Sequence, residues 1–92
     1  MPEVRFTIRW PDGSEEGCYS PSTAIHQHLT AGAAYPLPEF LTRARAGLNA
    51  ASDRVAAKFG YACSSAMDQL ARIEARAATQ PPDGQVTCLR LS

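Results

Sequence analysis

The stretch Val4-Arg5-Phe6-Thr7-Ile8-Arg9-Trp10-Pro11-Asp12-Gly13-Ser14 decides the fold class. Val4, Phe6, Ile8 and Trp10 alternate with Arg5, Thr7 and Arg9. A period of two in β-branched and aromatic residues predicts a strand with one buried face and one wetted face. Asp12-Gly13 before a second extended run is a hairpin signal, because glycine accepts positive φ without steric cost. A two-residue Asp12-Gly13 loop sets Arg9 opposite Glu16 and Phe6 opposite Tyr19. These are an ion pair and an aromatic pair, each worth roughly 0.2–1 kcal/mol. In that register Cys18 falls on the Arg5/Thr7/Arg9 face.

Beyond the hairpin, Ser20-Pro21 reads as an N-cap followed by proline in the first helical position, predicting a short helix to about Leu29. Thr30 to Pro38, with Gly32, Pro36 and Pro38, reads as a loop. Leu37 or a neighbour then caps the next helix, with Pro38 and Glu39 in its first turn. From Phe40 the period becomes about 3.6, and Phe40, Ala44, Leu48, Ala51, Val55 and Phe59 form an apolar stripe. Gly60 stands where a helix-ending glycine is expected. Cys63, Ala66, Leu70, Ile73 and Ala77 make a second stripe with Met67 beside it. The two stripes run almost in phase through Gly60. A fused helix of about 40 residues would span about 60 Å, too long for this chain to cover, so a break near Gly60 is expected. Gln80-Pro81-Pro82-Asp83-Gly84 breaks the helix, and Gln85 to Leu91 is a final strand. The expectation is one small α+β domain over residues 1–92. It has a three-stranded, mainly antiparallel sheet in ββαααβ order, with helices packed on one face.

Size and charge narrow the function classes. A chain of 92 residues buries roughly two thirds of its unfolded surface, so its core is modest and a second copy is a natural cover; a homodimer is expected. Nine basic and nine acidic residues cancel, which removes general attraction to phosphate backbones or anionic membranes. An odd count of three cysteines, Cys18, Cys63 and Cys88, argues against a disulfide scaffold. The sequence opens directly on strand-like residues, without the pattern of a leader, and no apolar run reaches membrane-spanning length. The expected location is the cytoplasm, with reduced thiols.

No catalytic constellation stands out, and no cofactor or metal is expected. Cys63 is the foremost candidate: near the start of the second long helix, the dipole favours its thiolate, although its place on the apolar stripe suits a core residue equally. Tyr61 lies beside it. Cys18 and Cys88 have room to face each other on neighbouring strands, but no nearby motif supplies a base, so both read as ordinary strand residues. His26 and His28, at i and i+2, point to different sides of a helix and do not make a metal pair. Arg5 and Arg9 line one strand face as a candidate anion or partner surface. Trp10, Asp12 and Tyr19 complete the candidate binding set. Ala56-Ala57-Lys58-Phe59-Gly60 before a helix is similar to a helix-turn-helix. The second helix, however, opens with Ser64, Ser65, Met67, Asp68 and Gln69. Of these only Gln69 suits base readout, so nucleic acid is a disfavoured partner.

Several segments occur together in one order: Val4 to Gly13, Cys18-Tyr19-Ser20-Pro21-Ser22, Tyr35-Pro36-Leu37-Pro38-Glu39-Phe40-Leu41, Ala51-Ser52-Asp53-Arg54-Val55, Phe59-Gly60-Tyr61-Ala62-Cys63-Ser64 and Met67-Asp68-Gln69-Leu70. This combination resembles the small bacterial nitrogen-starvation-response proteins, encoded in a gene cluster with a nitrilase, a radical-SAM protein, an acetyltransferase and a flavin-dependent oxidoreductase. The resemblance implies a role beside nitrile or cyanide nitrogen metabolism. It implies an accessory protein that binds a partner from that cluster, and it brings no catalytic residues to transfer.

Overall fold

The computed structural model describes residues 3–60 and 64–91, with Phe59 described by its backbone alone. The elements are β1 (Val4–Arg9), β2 (Glu15–Ser20), a 3-10 helix (Thr23–Gln27), β3 (Ala34–Pro36), α1 (Leu37–Phe59), α2 (Ser64–Ala77) and β4 (Gln85–Leu91). The four strands form one antiparallel sheet in the order β2-β1-β4-β3. The expected α+β class holds, but the sheet has four strands rather than three. Ala34–Pro36, read above as loop, is a short edge strand paired with Gln85 to Thr87.

The hairpin forms where the sequence places it, in a different register. Arg9 faces Glu15, Ile8 faces Glu16 and Phe6 faces Cys18. The loop has three residues, not two. Gly13 N–H donates to Trp10 O at 2.9 Å, and Trp10 N–H donates to Ser14 O at 2.8 Å. Gly13 adopts φ +91°, so it is the left-handed residue that follows a tight turn in a three-residue hairpin loop. A slip of one residue exchanges the faces of a strand. Cys18 therefore sits on the core side with Phe6, not beside Arg5, Thr7 and Arg9, and it is buried.

The core lies between one sheet face and the helices. Val4, Phe6, Ile8, Trp10, Tyr35, Val86 and Cys88 come from the sheet. The described side chains of both predicted helix stripes are buried: Phe40, Ala44, Leu48, Ala51 and Val55 in α1, and Ala66, Leu70, Ile73 and Ala77 in α2; Phe59 and Cys63, also expected there, lie outside the described side chains. Trp10 and Phe40 meet edge to face, with ring centroids 5.8 Å apart at 78°. That geometry is worth roughly 0.5–1.5 kcal/mol beyond the area the rings bury. Gly60 ends α1 as expected: it adopts φ +82° and its N–H donates to Ala56 O. The 23-residue α1 is about 35 Å long, close to the molecule's longest dimension of 39 Å, so a fused helix would project past the sheet.

Three helices were expected where the described residues form two α-helices and one 3-10 helix. The short one starts later, with Ser22 as its N-cap; Ser22 Oγ accepts from Ala24 N–H at 3.1 Å. Ser20 is not the cap because it is still on the core side of β2, where its Oγ donates to Ser22 O at 2.9 Å. This turn lies tightly on α1: a Cβ added to Gly47 would overlap Ile25 Cδ1.

Candidate functional site

Two adjoining polar regions lie where the hairpin meets α2. The first surrounds the hairpin tip. Trp10 is buried in the core, and its indole Nε1–H donates to Glu16 Oε1 at 2.9 Å. Arg76, from the last turn of α2, approaches the same oxygen at 3.9 Å and donates to Ser14 Oγ. Asp12 Oδ1 accepts from Ser14 N–H at 2.9 Å and from Ser14 Oγ at 2.6 Å. Gln80, nearly buried beyond α2, donates from Nε2 to Asp12 Oδ2 at 3.1 Å and accepts from Asp12 N–H at 3.2 Å. The hydroxyl and backbone N–H of Ser14, then Gln80, hold the Asp12 carboxyl down at about 2. Each of these side chains meets a partner within the network, so the arrangement clasps the hairpin to α2.

The second region is a notch of about 220 Å³ between β2 and α2, lined by Tyr19, Ser65, Asp68, Gln69 and Arg72. Trp10 N–H bonds to Ser14 O inside the hairpin. The even-numbered positions of β2 therefore bond to β1, and the backbone groups of Glu15, Gly17 and Tyr19 point out from the sheet edge. Gln69 covers one of them: its Oε1 accepts from Tyr19 N–H at 3.0 Å. That bond fixes which end of the amide is oxygen. The other end, Nε2, is buried without a hydrogen-bond partner among the described residues.

The structure scatters the candidate residues of the sequence. Trp10 and Asp12 belong to the clasp, and Tyr19 to the notch. Arg5 and Arg9 lie on the solvent face of the sheet, near Glu3 at 3.8 Å and Glu15 at 3.3 Å. Exposed pairs of this kind contribute roughly 0–1 kcal/mol. Tyr61 and Cys63 lie outside the described residues. Cys18 and Cys88 are both free and buried, but they are not on neighbouring strands, because β1 runs between β2 and β4. Burial, then the Glu16 carboxylate and Cys88, push the Cys18 thiol up to about 12, and burial raises Cys88 as well. Neither thiol is a ready nucleophile at neutral pH. His26 and His28 join no metal-binding group: among the described residues no cluster of three or more His, Cys, Asp or Glu is placed to hold a metal. Gln69, the one residue suited to base readout, is spent on the edge of β2.

Sequence reasoning missed the notch. Ser65, Asp68, Gln69 and Arg72 stand at i, i+3, i+4 and i+7 and share one side of α2. That spacing was readable; that β2 lies alongside was not.

With this geometry in place, the chain can be compared with known proteins. The family model described as nitrogen starvation-induced protein NitG matches residues 5–91. The chain belongs to this family. The NitG match takes in every strand and helix described above except Val4, the first residue of β1, so the clasp and the notch lie within it. No curated protein and no solved structure matches the chain. Among the described residues no helix is long and apolar enough to cross a membrane.

Proposed function

We propose that this NitG-family chain is a non-enzymatic accessory protein of the nitrogen-starvation response. It works in the cytoplasm, beside nitrile or cyanide nitrogen metabolism. It acts by pairing with a second copy of itself and by binding a protein encoded in the same nitrilase gene cluster. One observation carries the self-association: β2 is an edge strand whose outward backbone groups at Glu15 and Gly17 have no hydrogen-bond partner among the described residues. Unpaired edges are templates for strand addition. Gly17 is exposed, and a Cβ built there meets nothing within 4 Å. Two antiparallel copies of β2 can therefore meet across a two-fold axis at Gly17, continuing the sheet from one subunit into the other. Burial of Cys18 and Cys88 argues against thiol chemistry at those two positions.

Light scattering at tens of micromolar tests the pairing. A dimer is expected for the native chain and for Gly17→Ala, and a monomer for Gly17→Pro, which removes the outward N–H while leaving the bonds to β1 intact. A native chain that stays strictly monomeric sinks the self-association. Affinity purification of the tagged protein under nitrogen limitation tests the partner, and recovery of no protein from the nitrilase cluster counts against it.

A further inference from the structure

The β2 edge is open at Glu15 and Gly17 and stopped at Tyr19. The stop is a side chain: Gln69 Oε1, from α2, accepts from the outward N–H of Tyr19 at 3.0 Å. Gln69 itself is poorly satisfied there. It is 8% exposed, and its Nε2 has no hydrogen-bond partner among the described residues. The amide oxygen gains one bond while the donors at the other end of the same group go without, so the cap is a weak one. A backbone carbonyl, offered with the rest of a strand behind it, is a stronger claimant for the same N–H.

The pairing proposed above brings that carbonyl to the spot. In an antiparallel ladder centred on Gly17, residues two positions before the centre face residues two positions after it. Tyr19 therefore faces the partner subunit's Glu15. Outward positions that face each other exchange backbone hydrogen bonds. The N–H that Gln69 holds is thus the one that the carbonyl of the partner subunit's Glu15 requires, and one N–H carries one proton. The two-fold axis repeats the conflict, so each dimer contains two contested bonds. No such conflict arises at Gly17, where a built Cβ meets nothing within 4 Å.

We infer that Gln69 is a displaceable plug on the β2 edge. It holds Tyr19 N–H in the single chain and yields it to the carbonyl of the partner subunit's Glu15 when two copies pair. The inference rests on the proposed pairing and names the residue that limits it. Glu15 and Gly17 take the incoming strand first, and the ladder closes at Tyr19 only when the amide turns aside. The strength of the plug then sets the concentration at which the chain pairs.

Light scattering over a dilution series, read as a dimer dissociation constant, tests this. Gln69→Leu removes the competing oxygen at similar volume, and Gln69→Met does so at similar length. Each pairs roughly tenfold or more tightly than the native chain, as expected for two bonds no longer contested. If one variant fails to fold, the other carries the test. Gly17→Pro placed on top of either abolishes the gain, which shows that it runs through β2 and not through a new apolar contact. A native chain that stays monomeric while Gln69→Leu forms a Gly17-dependent dimer sinks the pairing of the native chain and keeps the plug. A native dimer that neither variant tightens overturns the plug and leaves the pairing standing. So does a gain that survives Gly17→Pro. Monomers throughout overturn both.

Discussion

At one margin of the sheet the outward backbone positions are Ala34 and Pro36; at the other they are Glu15, Gly17 and Tyr19. The assignment follows from the ladder. Cys88 N–H donates to Ala33 O at 2.9 Å and Leu37 N–H to Gly84 O at 3.0 Å, so the even residues of β3 face away from β4. The β3 margin is three residues long, and its outward proline has no N–H to offer. It is also anchored below: Tyr35 is buried, its hydroxyl accepts from Thr30 N–H at 3.0 Å, and Arg43 stacks 4.7 Å from its ring. The β2 margin is six residues long and carries glycine at its centre. One side-chain amide, from Gln69, covers one of its outward groups. A small sheet can close an edge by removing its donors or by lending it a side chain, and only the second way leaves room for a partner or a ligand.

The contrast can be broken most severely at the anchored margin. Tyr35→Ala should cost roughly 3–5 kcal/mol in urea unfolding, since it empties a core position and frees Thr30 N–H. A loss below about 1 kcal/mol would mean that β3 is only draped on the core. Gln69→Leu should cost less, about 1 kcal/mol. Hydrogen exchange at the Tyr19 amide, slow in the native chain, should rise towards the rate of an unprotected amide. An unchanged Tyr19 rate would remove the role assigned to Gln69. Pro36→Ser gives the β3 margin a donor, and gives α1 an N-cap hydroxyl where Pro36 supplies no side-chain bond. A gain of about 0.5–1 kcal/mol is expected, with growth beyond a dimer in light scattering as concentration rises.

The hairpin margin should also respond to pH. The Asp12 carboxyl is lowered from 3.8 to about 2, so its contribution is fully present above its unfolded value and is lost as pH falls through that window. Asp12→Asn should flatten this acid limb in thermal melts. Cys18 works in the opposite sense: its thiol rises from 9.0 to about 12, so the folded state keeps a proton that the unfolded chain releases, and stability falls as pH climbs above about 9. The smallest effect belongs to the exposed Arg9–Glu15 pair. Arg9→Ala should shift stability by less than about 0.5 kcal/mol, and a larger loss would mean that β2 is held by charge.

Much of this was legible in the sequence where the pattern is local. Alternation in Val4 to Trp10, the two apolar helix stripes and the stop at Gly60 all follow from periodicity and from one glycine's conformation. The register was not legible from Asp12-Gly13 alone, because Gly13 serves after the turn rather than within it. Pro11-Asp12-Gly13 suits that arrangement equally well. The strand β3 was hidden by its brevity and its proline, features that mark an edge as readily as a loop. Ser20 has the same chemistry as Ser22, and only the corrected parity of β2 decides which is free to cap. Gln69 fared worst. On a helical wheel it borders the apolar stripe and reads as a surface amide, whereas its role depends on Tyr19, 50 positions earlier.

The pairing of Phe6 with Leu91 sets the timing of assembly. The central seam of the sheet joins the start of the described chain to its end, so it forms only after synthesis has delivered β4, and closing so long a loop slows folding. Until then β1 has only its hairpin partner, and its backbone groups towards β4 stay unpaired. A nascent chain of this protein therefore emerges from the ribosome with β1 half-paired, and crowding or a chaperone bears on its yield at that moment.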